Sequence, residues 1–308
     1  MKLIQLRHLI AVAEAGSVRR ASKALFLSQS SVTKSIHQLE QSLGVELLHR
    51  HAHGVSPTAA GRALIARAKI IETELREARN DLDTIQGARG GEIRVGVSPA
   101  VAMSLLPQAI LNFKRTRPKV RFHIQEGVYP DVLAAVRTGE LDFVVCLVPA
   151  QPREEELTHE LLLRDRLTPA VRSKHPLARS RQKLANLLKA DWVIYQRGRT
   201  GRDVFESMFS EAGLEPPAGT IECASFACVL MLAERGDYVT MVPRQLFSSN
   251  NPLRLGLVPL TIDSPMPSWN VAVYYRSRHE LSPVCRKFLE ELESTASAIA
   301  APRQPARG

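Results

Sequence analysis

Signatures of catalysis are missing from these 308 residues. No Gly-x-Ser-x-Gly elbow presents a nucleophile, the glycine-rich GRTGRD at 198–203 lacks the Walker lysine pattern, and no pair of carboxylates stands in a recognisable acid/base motif. No enzyme activity and no cofactor are therefore expected. Cysteine is scarce as well. Cys146, Cys223, Cys228 and Cys285 are scattered, and none makes the Cys-x-x-Cys spacing of a zinc site or dithiol motif. That usage fits a reducing compartment. Long apolar runs are absent: the best candidate, Phe226 to Ala233, falls far short of the roughly 20 residues that cross a bilayer. The opening MKLIQLRHLIAVAEAGS ends like a secretory signal, but Gln5, Arg7, His8 and Glu14 interrupt any apolar core. A cytoplasmic location with no membrane partner is the expectation.

What is present is positive charge, and it is unevenly placed. The chain carries 41 Lys and Arg against 31 Asp and Glu, a formal net charge of +10. Residues 1–69 hold ten of the bases but only Glu14, Glu40 and Glu46 among the acids, so this quarter supplies +7 of the excess. A polyanionic partner for the N-terminal segment follows.

The same segment has a short-helix rhythm. Leu3, Leu6, Ile10 and Ala13 recur at helical spacing until Gly16-Ser17 stops one helix and caps the next, where Val18, Ala21 and Leu25 share a face. Ser28 caps a third helix in which Val32, Ile36, Leu39 and Leu43 repeat by four, three and four residues, and Gly44 closes it. Three helices with tight turns form a helix-turn-helix plan, and residues 47–56 then read as two short strands around a glycine, a wing. On a helical wheel Ser30, Lys34, His37 and Gln41 point outward, flanked by Thr33 and Gln38, with no acid among them. Such a face suits the major groove of duplex DNA.

From Ala59 to about Gln86, Leu64, Ala68, Ile71, Leu75, Ala78, Leu82 and Ile85 alternate steps of four and three, the rule of a coiled-coil seam. Charged residues cover the other faces, so a dimerising linker helix is predicted, followed by a glycine joint at 87–91. Beyond it, strands and helices alternate. Strands are expected at 93–97, 120–125, 141–147, 167–171, 192–195, 220–223, 238–242 and 270–275. Helices are expected at 100–115, 131–137, near 182–188, and at 203–212, 226–234 and 283–292, with a disordered tail from about Ala296. Two such sets predict two α/β lobes with largely parallel sheets, facing each other across a cleft.

The stretch GSVRRASKALFLSQSSVTKSIHQLEQSLGVELLHR, followed by GVSPTAAG, resembles the helix-turn-helix and wing of the LysR-type transcriptional regulators. Ser17, Ala21, Leu25, Ser28, Gln29, Val32, Ile36, Leu39, Glu40, Leu43, Gly44, Leu47, Arg50, Thr58 and Gly61 stand in register with the family motif. Ser22, Ser30, Ser31, Thr33 and Leu48 depart from it, and Ser30 replaces a usual proline at the start of the recognition helix.

The resemblance implies a DNA-binding domain at 1–58, a linker helix and hinge at 59–90, and an effector domain at 91–295. That last domain would be of the two-lobed, periplasmic-binding-protein-like α/β kind. Lobe I would span about 91–164 and 269–295, and lobe II about 165–268, with the tail at 296–308. It further implies double-stranded DNA as partner, with Gln29, Ser30 and Lys34 near bases, and Ser28, Thr33, Arg50 and the wing on phosphates. His37 and His53 complete the expected DNA face. A homodimer or homotetramer is implied, whose effector alters contacts with promoter DNA or RNA polymerase.

Ligands collect beyond the carboxyl ends of parallel strands. Ser98-Pro99-Ala100 therefore offers a capping hydroxyl and free amides, and Ser225 repeats the arrangement. Val128, Phe226, Met241 and Pro243 supply apolar walls. Tyr195 opens a segment with Arg197, Arg199, Thr200 and Arg202, whose arginines favour a small organic anion, with an aromatic body as one form. Two signals are set aside. His49, His51 and His53 share strand spacing for a metal but lack a neighbouring acid or cysteine. Cys223 and Cys228 do not match the paired cysteines of the family's peroxide sensors. The rival readings are a small-molecule-binding or enzymatic α/β protein, and a DNA-binding regulator that needs no ligand.

Overall fold

The computed structural model describes residues 1–51, 54–85, 90–149, 154, 156–196, 200–218, 221–248, 255–266, 268–276 and 281–300, with backbone alone at 81, 83–85 and 200. The chain divides into two compact units, Met1–Arg79 with Thr138–Glu140, and Asn80–Arg137 with Leu141–Gly308.

The first unit opens with α1 (Leu3–Ala15), α2 (Val18–Ala24) and α3 (Gln29–Leu43). Their ends lie where capping chemistry puts them. Gly16 and Gly44 take left-handed φ values of 60° and 69°, Ser17 accepts the Arg20 amide, and Ser28 accepts the Ser31 amide. The inward residues Leu6, Leu9, Val12, Ala21, Val32, Ile36 and Leu39 form one core with Leu47. Each of the larger side chains contributes about 1.5–3 kcal/mol by leaving water.

The hairpin β1 (Leu48–His51) and β2 (Gly54–Pro57) pairs antiparallel, Leu48 opposite Pro57 and His51 opposite Gly54. Glu40 ties it to α3, its carboxylate accepting the amides of Leu47 at 2.9 Å and Leu48 at 3.3 Å. Thr58 braces the other side, donating to the Glu46 carbonyl at 2.8 Å and accepting the Gly61 amide at 2.9 Å. A Cβ on Gly61 would lie 2.0 Å from the Leu47 carbonyl oxygen, which is why glycine stands there. Glu40→Ala should orphan two amides and lower local stability by about 2 kcal/mol, on the order of 1–3 kcal/mol per lost acceptor. Both tryptophans, Trp192 and Trp269, lie in the other unit and do not report on this one. Hydrogen exchange at residues 29–57 is the measurement, and an unchanged exchange rate would refute the tie.

Helix α4 (Ala59–Ile85) follows. Its expected seam divides in two. Ala68 is fully buried in the core just described, with Leu64 packed against it, whereas Ile71, Leu75 and Leu82 are 39, 38 and 58% exposed. The glycine joint is displaced: residues 86–89 fall outside the described residues, and Gly90 and Gly91 already belong to a strand, paired with Lys119 and Val120.

The second unit runs β3 (Gly90–Val97), α5 (Pro99–Ala102), α6 (Leu105–Thr116), β4 (Lys119–Glu126), α7 (Leu133–Arg137), β5 (Phe143–Pro149) and β6 (Leu157–Arg172). It continues with β7 (Asp191–Tyr195), α8 (Thr200–Ser210), β8 (Ile221–Cys223), α9 (Phe226–Arg235), β9 (Tyr238–Pro243), β10 (Leu257–Pro259), β11 (Ser268–Arg276) and α10 (Pro283–Ala300). The strands follow the order β4-β3-β5-β11-β6-β9-β7-β8, with β10 beside β6. Strand residues 157–166 and β10 were not expected, and expectation and structure part elsewhere too. The sheet is mixed rather than largely parallel, because β11 runs antiparallel to both β5 and β6, and β6 antiparallel to β9. The helix expected at 100–115 breaks at Met103-Ser104, where the Ser104 hydroxyl donates to the Ala100 carbonyl at 2.7 Å. The helix expected near 182–188 is a 3-10 turn, Leu184–Lys189. The tail expected to be disordered from Ala296 continues α10 to Ala300 instead, since Ala296 and Ile299 bury their side chains in the core.

Strand β6 is the joint between the lobes. Residues 157–166 pair with β11, and residues 167–170 pair with β9. Lobe I thus gathers β3, β4, β5, β11 and the first part of β6, and lobe II gathers the rest of β6 with β7 to β10.

Candidate nucleic-acid interface and ligand cleft

On α3 the residues Ser28, Gln29, Ser30, Lys34, His37 and Gln41 are exposed, and Thr33 is half-buried. The single acid of that helix, Glu40, is spent on the hairpin amides, so it leaves the outer face uncharged except for Lys34. The hydroxyls at the helix start are linked to one another, Ser28 Oγ lying 2.9 Å from Ser30 Oγ and 2.8 Å from Ser31 Oγ. His37 and Gln41 are joined at 3.1 Å. These are solvent-facing bonds that a phosphate oxygen or base edge can replace at little cost, and the first-turn amides of a 15-residue helix favour an anion.

Arg50 is exposed on β1 opposite Val55. The hairpin's orientation is set by the Val55 amide, which donates to the Gly16 carbonyl at 3.0 Å. A side chain on Gly54 would approach that carbonyl to 2.4 Å, so the close approach requires glycine. The structure therefore brings Ser28, Gln29, Ser30, Thr33, Lys34, His37 and Arg50 onto one unit. His53 lies outside the described residues, and with it the three-histidine metal reading.

In the second unit a cleft of about 600 Å3, counted with its open mouth, lies between the lobes. Ser98, Pro99, Ala100, Val128, Tyr195, Phe226, Met241 and Pro243 all line it, eight of the ten residues expected there. The side chain of Thr200 lies outside the described residues. Ser225 caps α9, accepting the Cys228 amide at 3.3 Å, while its neighbours Ala224 and Phe226 line the cleft in its place. Ser98 holds the first position before α5 but does not cap it. Its Oγ accepts the Leu147 amide at 3.3 Å, which stitches β3 to β5 at the cleft floor.

Gly201, in the expected segment that Tyr195 opens, lines the cleft as well; Tyr129, Leu147, Leu167 and Ala224 also line it and were not foreseen. The strand-end rule that found Ser98 would have found Leu147 near the end of β5 and Tyr129 just after β4. Leu167 was expected to begin a strand, but its place in the cleft comes from the unforeseen stretch 157–166, which carries β6 across from the other lobe. The Tyr195 and Phe226 rings stack at 6.1 Å and 18°, forming one flat wall. Gly201 makes room for it, since a Cβ there would lie 2.5 Å from the Tyr195 ring. Burial raises the phenols of Tyr195 and Tyr129 above their ordinary value, with Glu154 adding to the effect at Tyr129, so both act as neutral groups. Arg197 and Arg199 lie outside the described residues. Arg202 is buried and committed, bonded to Glu206 at 2.6 Å and Glu222 at 3.3 Å, and so does not serve the cleft as the sequence suggested.

Among the described residues no helix is long and apolar enough to cross a membrane. Both parts of the chain have counterparts among known proteins. Residues 3–62 match the bacterial regulatory helix-turn-helix protein, lysR family, and residues 86–297 match the LysR substrate binding domain. The transcriptional regulator GbpR of Azospirillum brasilense is 31% identical over 249 residues, covering 79% of this chain and 72% of its own. The transcriptional dual regulator GltC of Bacillus subtilis is 27% identical over 291 residues, 94% of this chain and 96% of its own. The fold is similar to full-length CbnR complexed with its target DNA, with a TM-score of 0.69 and 23% identity over 96% of this chain and all of that one. Motif, fold and both domain matches agree: the chain belongs to the LysR family of DNA-binding transcriptional regulators, non-enzymatic proteins that join a helix-turn-helix to a substrate-binding effector domain.

Proposed function

We propose that the protein is a cytoplasmic homo-oligomer that reads an interrupted palindrome by placing α3 of each subunit in the major groove, with Arg50 on a phosphate. The carrying observation is the acid-free, exposed face of α3 beside that arginine. Gln29, Ser30 and Lys34 read base edges, and Ser28, Thr33, His37 and the hairpin with His53 hold the backbone. The half-exposed leucines of α4 support pairing through that helix. The effector is a small organic anion with a flat apolar body. The stacked Tyr195 and Phe226 support the flat body, and the strand-end position of Ser98 and Ala100 supports a polar group directed to the cleft floor. Occupancy biases the arrangement of the DNA-binding heads and so the contacts with promoter DNA and RNA polymerase.

The test is salt-dependent binding to duplex DNA from the chain's own upstream region. Arg50→Ala should weaken all sequences alike and reduce the slope of log K against log salt by about 0.9, the loss of one phosphate contact. Equal slopes for variant and parent would remove Arg50 from the interface. Failure of the parent to bind duplex DNA at low ionic strength would remove the whole reading.

A further inference from the structure

Away from the cleft, and sharing no residue with it, a second hollow of about 850 Å3 counted with its mouth lies where β6 passes from one lobe to the other. Its floor is polar. Asp165 sits on β6 opposite Trp269 of β11, its Oδ1 accepts the Arg166 amide at 2.8 Å, and it faces the amides of Arg244 and Gln245. Those residues begin the 3-10 turn Arg244–Phe247 that follows β9. The Arg166 amide accounts for one carboxylate oxygen, Oδ1. The other, Oδ2, is buried and completes no hydrogen bond. Gln245 is stranger still. Its side chain is buried, with the residue 7% exposed, yet neither the amide oxygen nor the amide nitrogen has a partner. Each such orphan is a desolvation cost without return, and leucine in the same place would avoid both.

The rim and walls complete a pattern. Arg164 and Arg244 are exposed at the mouth, and Leu163, Phe247, Pro259 and Ile299 form apolar sides. Two acceptors on the floor, Asp165 Oδ2 and Gln245 Oε1, call for a cationic donor. The amide nitrogen of Gln245 and the two arginines call for an anion a few ångströms away. The geometry points to a second ligand site, at the joint of the lobes, for a free α-amino acid. Its ammonium donates to Asp165 and Gln245, its carboxylate accepts from Gln245 Nε2 and meets Arg244, and an aliphatic side chain lies on the apolar wall. Burial pushes the Asp165 carboxyl up to about 6, and an ammonium group beside it offsets that desolvation. Because the hollow is built from β6, from the turn after β9 and from the end of α10, its occupant touches parts of both lobes.

The common L-α-amino acids, tested one by one by calorimetry on the full-length protein, are the probes. L-Leucine suits the walls, with 4-methylpentanoate and 3-methylbutylamine as analogues lacking the ammonium and the carboxylate. The expected result is saturable binding of at least one amino acid, with both of its truncated analogues weaker by about tenfold or more, one lost charge-assisted hydrogen bond or better. Gln245→Leu should abolish that binding and at the same time raise the melting temperature of the unliganded protein. Arg244→Ala, at an exposed position, should weaken it about tenfold. Ser98→Trp in the cleft should leave it unchanged. No binding by any amino acid would overturn the proposal, as would equal binding in Gln245→Leu. A lowered melting temperature in unliganded Gln245→Leu would also overturn it, by showing that the amide is satisfied within the protein.

Discussion

A protein carrying Leu75→Glu and Leu82→Glu should sediment as a monomer and lose about 10²- to 10⁴-fold in affinity for a duplex with two half-sites, while binding one half-site as the parent does. Neither leucine is covered within its own chain, being 38 and 58% exposed, although both continue the four-three spacing that begins at Leu64. Burying such side chains against a second copy is worth about 1.5–3 kcal/mol each. Glutamate removes that gain and sets like charges against each other in a symmetric pair. The DNA consequence follows from linkage: two heads on one body make the second contact intramolecular, and two separate heads do not. Sedimentation velocity and binding to one-site and two-site duplexes measure the two halves of this expectation. A variant that stays dimeric with parental affinity would show that α4 does not hold the copies together.

Ser98→Trp should cost at least about 100-fold in effector affinity and abolish the effector's thermal stabilisation of the protein, with DNA binding retained. The cleft offers about 600 Å3 with its mouth included, and an indole entering from Ser98 on its floor would take the space between the lobes. Overpacking of this kind costs roughly 1–3 kcal/mol where side chains must move. The cost here includes the hydrogen bond from the Leu147 amide, which Ser98 Oγ accepts. A Ser98→Ala variant separates the two causes, because it loses the hydroxyl without filling the cleft. The effector for these measurements comes from a thermal-shift screen of small organic acids. Undiminished affinity in Ser98→Trp would place the ligand elsewhere.

How far the sequence could be read depended on whether a residue's role was local. Gly16, Ser17, Ser28 and Gly44 end and begin helices by their own backbone conformation and hydroxyls, so α1, α2 and α3 were legible to within a residue or two. Gly54 and Gly61 are different. They matter because the Gly16 and Leu47 carbonyls lie against them, contacts that only the folded unit contains. The first ten residues of β6 escaped because they serve the other lobe from residues 167–171 and carry many polar positions, Thr158, His159 and Glu160 among them. The end of the last helix escaped for the opposite reason: the small residues of Ser297-Ala298-Ile299-Ala300 carry little periodic signal, yet Ile299 is buried. Most of the cleft was found because strand ends are predictable positions. Ser98 was right in place but wrong in bond, since its acceptor role toward Leu147 arises from the pairing of β3 with β5. The hollow at Asp165 and Gln245 left no trace in the sequence, its two floor residues standing 80 positions apart.

The sixteen-residue length of β6 sets what motion the effector domain can make. Because the strand changes partners from β11 to β9 at Arg166-Leu167, one continuous stretch of backbone belongs to both lobes. Torsion about that strand is a motion that would leave the pairing within each lobe intact. A slot that opened by such torsion would turn the thickness of its occupant into an angle between the lobes.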